Sequence, residues 1–375
     1  MPLERSVKMQ FVKEMSQPGV NRREVCRRHN VAPKTGYEYL RRYNEGGEGA
    51  LEPRSKRPHR SPGRLDAATE QRIIELRQEL RWGPRKIRWR LEQEGWLQVP
   101  AKSTVEEVLK RNGLVTEERS RKSRAHQRFE HERPNDVWQM DFKGHFALRS
   151  GERCHPLLVI DDHSRYLLAL RACRNERRET VQPILVELFR ENGMPVRMLM
   201  DNGAPWGRAE GAYSSLEMWL IRLDVRVSHG RAHHPQTQGK VERMNRTLPE
   251  EMPLDFEDFP AAEQSFRIYR PRYNRERPHE ALGMQVPASR YLPSERSYPE
   301  QLPAVEYDEG DQVRRVQKGG WIHYRGRQWR VGRAFEGERV AVRPGSDDGV
   351  MRVYYCKQRI GELDLRVQPR PAECV

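Results

Sequence analysis

The amino-acid sequence predicts a multidomain chain: tandem all-α helix-turn-helix modules, an α/β core, and a small antiparallel β-barrel near the C-terminal end. Three observations predict it. Helical hydrophobic spacing, broken at Pro-Gly and Gly-Pro pairs, fills the first third. Past Asp136 the spacing changes to short apolar strands alternating with helices. After residue 305, four strand-like runs are separated by glycine turns.

Charge is distributed along the same divisions. The 375 residues include 69 Lys plus Arg against 54 Asp plus Glu, a formal charge of +15. Residues 1–135 hold 31 basic and 19 acidic residues, residues 136–300 hold 24 of each, and residues 301–375 hold 14 and 11. Basic charge gathered at the front is the footprint of a polyanion, most commonly nucleic acid, with a merely solvated basic surface as the alternative. No apolar run approaches the roughly 20 residues that span a bilayer, so no membrane partner is expected. The start, MPLERSVKMQFV, is charged where a signal peptide is apolar. Five scattered cysteines without a C-x-x-C pair argue against a disulfide framework and a cysteine zinc site. The expected setting is cytoplasmic and nucleoid-associated.

Residues 1–45 read as the first module. Asn21 is placed to cap a helix, with Glu24 three residues on to reach back to it. Val25 and Cys26 face inward, and the NVAP turn leads to a basic helix with Tyr37 and Leu40 on one side. Lys34, Arg41 and Arg42 lie around the rest of that helix, the plan of a DNA reader. Many small helical bundles share this pattern. Residues 46–64 are a basic linker. Residues 65–114 form the second module, with Asp66 as a cap, apolar Ile73, Leu76 and Leu80, a Gly83-Pro84 break, then Ile87 and Leu91. Ser103 and Glu106 form a capping box for a third helix that carries Val105, Val108 and Leu109 and stops at Gly113. Arg85, Lys86, Lys110 and Arg111 are its candidate DNA contacts. Residues 115–134 are a charged stretch without periodicity, either a tether along phosphates or a solvated linker.

The core runs over residues 135–290. NDVWQMDFKGHF alternates through Val137, Trp138, Met140 and Phe142, a strand signal holding Asp141 in mid-run, and CHPLLVIDDHSRYLLALRA reads as two strands joined by a DDHSR turn. A helix over 179–192 ends at Gly193, and VRMLMDNG is a buried strand delivering Asp201 at its end. After a helix over 214–223, the loop His233 to Gly239 precedes a helix with Glu242, Asn245 and Arg246 on neighbouring turns. Acids in such places are costly unless paired or bound to a cation. Carboxylate oxygens suit Mg²⁺ or Mn²⁺, and two ions about 3.5–4 Å apart would serve an in-line phosphoryl displacement. Spacing alone leaves both readings open, three metal ligands or three structural residues.

Residues 135–290 resemble the catalytic core of insertion-sequence DDE transposases in the retroviral-integrase superfamily. The resemblance rests on W-x-x-D at Trp138 to Asp141, D-x-x-S-R ending at Arg165, DNG at Asp201 to Gly203, HPQTQGKVER at His234 to Arg243, and YN-x-x-RPH-x-ALG at Tyr273 to Gly283. It implies an RNase H-like mixed sheet in which Asp141, Asp201 and Glu242 are the catalytic acids and bind two Mg²⁺, with Mn²⁺ able to substitute. It further implies a transposase that binds double-stranded DNA at the element ends and cleaves with activated water to free 3′-hydroxyls. Those hydroxyls are then joined to target DNA, by a homo-oligomer assembled on the ends. Forty residues separate Asp201 from Glu242, more than in typical retroviral integrases, and the extra length is expected in the WGRAEGAYSS loop. The N-terminus lacks the paired His and Cys of the retroviral zinc domain, which points to the bacterial branch.

Other groups carry weaker readings. Asp161 and Asp162 are expected to form a turn and a structural contact with Arg165. His233 and His234 suit a loop near DNA better than a zinc site. Lys240 and Arg243, beside Glu242, are placed to hold phosphates, or else form an exposed helix face. Cys154 and Cys173 read as core, and no Gly-rich phosphate loop implies ATP. Residues 305–367 are expected to form a barrel similar to the SH3-like domains of integrases, with Arg325, Arg327 and Arg330 exposed. Two rivals remain: a catalytically silent DNA-binding derivative, opposed by the intact acids, and another RNase H-like nuclease, opposed by HPQTQGKVER.

Overall fold

The structure, a computed structural model, describes residues 5–52, 65–115, 130–202, 206–208, 212–230 and 239–367. Most of the two linkers, Gly203, parts of the WGRAEGAYSS loop, and His233 and His234 lie outside the described residues. The chain divides into two units, residues 1–65 and 66–375.

In the first unit, α1 (Arg5–Met15), α2 (Arg22–Arg28) and α3 (Pro33–Gly46) enclose Phe11, Val12, Met15, Val25, Cys26 and Leu40. Asn21 caps α2 by accepting from the Glu24 backbone N–H, but the Glu24 carboxylate turns to Arg27 instead of reaching back. On α3 the buried pair is Gly36 and Leu40, and Tyr37 is 43% exposed, so the expected Tyr37–Leu40 face is corrected. The reason is steric. A Cβ at Gly36 would lie 2.6 Å from the Cys26 Sγ and 3.0 Å from the Phe11 Cζ, so only glycine lets the three helices approach this closely.

The second unit begins with α4 (Ala67–Leu80), α5 (Pro84–Gln93) and α6 (Lys102–Arg111). Asp66 caps α4 through the Thr69 backbone N–H and hydroxyl, and Pro84 opens α5, where its missing N–H costs nothing. The expected Ser103–Glu106 capping box is absent: α6 starts at Lys102 behind Ala101, leaving Ser103 inside the first turn and Glu106 paired with Lys102.

The core sheet is mixed. Its order is β2 (Phe146–Ala147), β3 (Arg153–Asp161), β1 (Val137–Phe142), β5 (Arg197–Met200), β8 (Arg226–His229), with β4 (Leu167–Cys173) on β3. Strands β1, β3 and β4 pair antiparallel, whereas β1–β5 and β5–β8 are parallel. Helices cover both faces, and strand alternation divides the apolar residues between them. Trp138, Met140, Leu157 and Val159 pack with α7 (Arg178–Asn192) and α8 (Ser215–Arg222). Leu158 and Ile160 pack with α9 (Gly239–Glu251) and α10 (Phe259–Arg275), the second of which the sequence reading did not anticipate. The short pair β6 (Gly207–Arg208) and β7 (Ala212–Tyr213) precedes α8.

The C-terminal strands do not close. A hairpin of β10 (Trp321–Tyr324) and β11 (Arg327–Arg330) stands beside a four-stranded antiparallel sheet. That sheet is ordered β14 (Gln358–Asp364), β13 (Val350–Tyr355), β12 (Arg339–Pro344), β9 (Gln312–Arg315). The expected barrel is therefore corrected to two open sheets. Between the hairpin and the larger sheet, Arg327 donates to the Leu365 carbonyl, Gln317 just past β9 makes an isolated antiparallel bridge with Trp321, and the two share an apolar core. Arg325, Arg327 and Arg330 are exposed. The Gln358 amide, at the start of β14, bonds both the N–H and the C=O of Val227, satisfying backbone groups on the edge strand β8.

Helix propensity favours alanine over glycine by about 1 kcal/mol, but overpacking a core costs about 1–3 kcal/mol. The contacts at Gly36 make the second effect the larger. Gly36→Ala should lower the stability of the first unit in urea denaturation, and a more stable variant would show the three-helix contact to be slack.

Candidate active site

Three acids come to one region from three elements. Asp141 lies on β1, Asp201 directly follows β5, and Glu242 is in the first turn of α9. Alternation along β1 turns Gln139 and Asp141 away from the Trp138 and Met140 face, towards α9. Asn245, one turn past Glu242, donates to the Asp141 Oδ2 at 2.8 Å.

Asp141 is half-buried, and burial pushes its carboxyl up to about 6. The Asn245 hydrogen bond acts the other way, and the charges of Asp201 and Glu242 push it higher again. Asp141 therefore lies within reach of both charges. Among the described residues, however, no group of three His, Cys, Asp or Glu is gathered closely enough to hold a metal ion. The donor chemistry still fits a hard divalent cation. The acids present oxygen only, their repulsion is relieved by positive charge, and the Asn245 Oδ1 beside Asp141 is a buried acceptor with no hydrogen-bond partner.

Asp201 is exposed, but its backbone is held. The Asn202 N–H donates to Asp201 Oδ1, and the Asn202 amide donates to the Gly230 carbonyl. His229, at the end of β8, donates from Nδ1 to the Asp201 carbonyl at 3.0 Å, while its Nε2 lies 2.6 Å from the fully buried Glu217. The Glu217 hydrogen bond raises the His229 pKa, so the imidazolium that can donate from both nitrogens is favoured. Glu217 also closes a capping box with Ser214 at the start of α8. The sequence reading missed Gln139, Glu217 and His229. S-x-x-E at Ser214 to Glu217 was a visible signal, whereas nothing local marks a strand-end histidine whose partner is on a helix.

The structure separates the basic candidates by environment. Lys34, Lys110 and Arg243 are exposed. Arg41 lies between Glu38 and Glu45 of its own helix, and Arg42 donates to the Glu52 carbonyl. Arg111 pairs with Glu70, and Arg85 with Glu280 at 2.6 Å. Two lysines are turned inward. Lys86 pairs with buried Glu251, and burial together with nearby Arg277 lowers its pKa to about 8. Lys240 pairs with Asp162 at 2.8 Å. The DDHSR acids form the expected turn and meet Arg165 through the backbone, its N–H donating to the Asp161 carbonyl at 3.0 Å. Asp161 binds Ser164 and the Asn135 N–H, and the Arg165 guanidinium goes to Glu130.

Asp141 gives a pH prediction. Its folded pKa stands above the ordinary 3.8, so the cost of ionising it is absent below pH 4, grows between 4 and 6, and is complete above 6. In chelator-treated protein, Asp141→Asn should raise stability by roughly 1–3 kcal/mol above pH 6 and by nothing near pH 4. Thermal melts across that range test it, and a gain independent of pH would contradict the burial of this acid.

The sequence matches several family models. They are the C-terminal domain of IS481 family transposases over residues 311–370, integrase core domains over 131–235 and 223–287, a homeodomain-like domain over 35–109, and a helix-turn-helix domain over 7–59. The Gag-Pol polyprotein of baboon endogenous virus (strain M7) is 26% identical over 211 residues, 54% of this chain and 12% of that polyprotein. The insertion element IS407 uncharacterized 31.7 kDa protein of Burkholderia multivorans is 26% identical over 226 residues, 58% of this chain and 78% of that protein. The chain thus spans about a tenth of the viral polyproteins it matches and most of the insertion-element protein. Among solved structures, it is similar to a simian T-cell lymphotropic virus intasome in complex with a PP2A regulatory subunit, at TM-score 0.36 and 17% identity. That match covers 76% of this chain and 97% of the other. The HTLV-2 integrase catalytic core in complex with magnesium matches at TM-score 0.33 and 18% identity, covering 42% of this chain and 97% of the other. The chain thus carries integrase-core matches and a match to the C-terminal domain of IS481 family transposases, which support an insertion-sequence DDE transposase of the retroviral-integrase superfamily.

Proposed function

We propose that this transposase binds the ends of its element through the helix-turn-helix modules, cuts there to free 3′-hydroxyls, and joins these to target DNA. The delivery of Asp141, Asp201 and Glu242 by three separate elements, with the last two near enough for their charges to act on the Asp141 carboxyl, carries the reading. These acids would hold two Mg²⁺ or Mn²⁺ ions. When bound, the ions would supply Lewis acidity that activates an attacking oxygen and offsets charge on the leaving one. The chain's own residues orient the site: Asn245 fixes the Asp141 carboxylate, and His229 with Glu217 fixes the turn bearing Asp201. One site would serve water and the 3′-hydroxyl in turn, so no covalent enzyme intermediate is required.

The remaining assignments follow the same reading. Residues 1–45 and 65–114 act as DNA-binding modules, 46–64 and 115–134 as basic linkers, 135–290 as the catalytic domain and 305–367 as the C-terminal domain. Lys34, Arg41, Arg85, Lys110, Arg111 and Arg243 are the candidate phosphate contacts that stand exposed. Element ends are paired in a homo-oligomer, in the cytoplasm at the nucleoid.

The test is end cleavage on a duplex carrying the terminal repeat that flanks the gene. Asp201→Asn should lower the rate by at least about 100-fold in Mg²⁺ while end binding stays within a few fold. A variant that still cleaves and joins DNA would remove Asp201 from the site.

A further inference from the structure

The β3–β4 turn carries two successive acids that do different work. Asp161 folds back on its own turn through Ser164. Asp162 points into the protein, where an ionised carboxylate is costly unless it is paired and hydrogen-bonded. Its Oδ1 accepts from the Lys240 ammonium at 2.8 Å and the Gln139 amide at 2.7 Å, and its Oδ2 accepts from the His131 backbone N–H. The side chains of Lys240 and Asp162 are 12% and 3% exposed. A lysine reserved for DNA phosphates would present its ammonium to solvent. This one does not.

The pair acts on Glu242 through the backbone. Gln139, held by Asp162, accepts with its Oε1 from the Val241 N–H at 3.2 Å, one of the first-turn donors of α9 that the helix itself cannot satisfy. Asn245 makes a second tie, to Asp141. The spacings agree: two strand residues, 139 to 141, rise about 6.8 Å, and four helical residues, 241 to 245, rise about 6 Å. Helix α9 thus lies along β1 in fixed register, and Glu242 falls between the two ties.

We propose that Asp162 and Lys240 are positioning residues, which lock the first turn of α9 and thereby hold Glu242 in register with Asp141. They touch neither DNA nor the reacting atoms. The inference rests on the proposed role of Glu242 as a cation ligand.

The test uses the full chain and the element-end duplex, with Lys240→Met, Lys240→Arg, Asp162→Asn and the Lys240→Met/Asp162→Asn double variant. Lys240→Met and Asp162→Asn should each lower kcat for cleavage by roughly 10- to 100-fold and raise the Mn²⁺ concentration for half-maximal rate severalfold. The duplex Kd in Ca²⁺, and its salt dependence, should stay as in the wild type. The double variant should be no worse than the worse single one, and Lys240→Arg should recover most of the rate. The inference is overturned if Lys240→Met weakens duplex binding and reduces the salt slope by about one, the mark of a lost phosphate contact. It is equally overturned if the single losses multiply, or if rate per folded molecule is unchanged while only the melting temperature drops. Glu242→Gln run in parallel separates the two levels. If that variant still cleaves, the proposed function fails; if it is inactive while Lys240→Met matches the wild type, only the positioning role fails.

Discussion

Asp141 sits in the seam between β1 and α9, where an ionised carboxylate loses much of its water, and the surrounding polar groups are arranged around that cost. Strand alternation leaves no freedom here: the face that takes Asp141 also takes Gln139, while Trp138 and Met140 fill the opposite core. A buried glutamine needs partners as well, and it finds them in Asp162 and the Val241 N–H. Moving β1 by one residue would put Trp138 into the seam and both polar groups into the apolar core. The register of the sheet and the placement of the acids are one requirement.

Helix α9 is anchored by buried charge at both ends, with apolar Val241, Met244 and Leu248 between them. At its start stands the Asp162–Lys240 pair. At its end Glu251 accepts from Arg277 at 2.8 Å, from the Tyr269 hydroxyl and from Lys86 of α5. Arg277 also contacts His279, whose pKa burial and that guanidinium push far down, keeping the ring neutral. The RPH stretch of the YN-x-x-RPH-x-ALG motif therefore serves α9 from below, far along the chain from Glu242. Removing one member of such a network typically costs about 3–5 kcal/mol, because it strands the others without a counter-charge. Apolar packing alone would let the helix slide or rotate; directional ion pairs at two ends do not.

The elements that could be read from sequence are those set by local rules. The strand over VWQMDF, the turn at DDHSR, the cap at Asp66 and the Gly83-Pro84 break depend on neighbours within a few residues, and each stands where it was expected. The three acids could be placed on a strand, a strand end and a helix start for the same reason. Tyr37 was misplaced because the contact that decides α3 is the absence of a side chain at Gly36, which periodicity does not register. Lys86 and Lys240 looked like phosphate ligands because a basic side chain does not disclose its partner. Glu251 lies 165 residues from Lys86, and no spacing rule joins them. Closure of the C-terminal strands failed likewise, since ladders between distant strands are invisible to a count of turns.

Burial decides how much of the basic charge a polyanion can reach. Arg41, Arg85 and Arg88 are held by carboxylates, but those pairs are exposed and worth at most about 1 kcal/mol, so a phosphate can replace the carboxylate at little cost. Lys86 and Lys240 are different, because extracting either leaves Glu251 or Asp162 buried with part of its compensation gone. The net of +12 in residues 1–135 therefore counts cations of two kinds, and only the exposed ones belong to an electrostatic surface. The same division applies beside the acids. Arg243, exposed next to Glu242, can meet a phosphate backbone, while Lys240, two residues before Glu242 in the same helical turn, is committed to the fold. Adjacent positive charges on one turn are thus divided between holding the acid in place and facing outward.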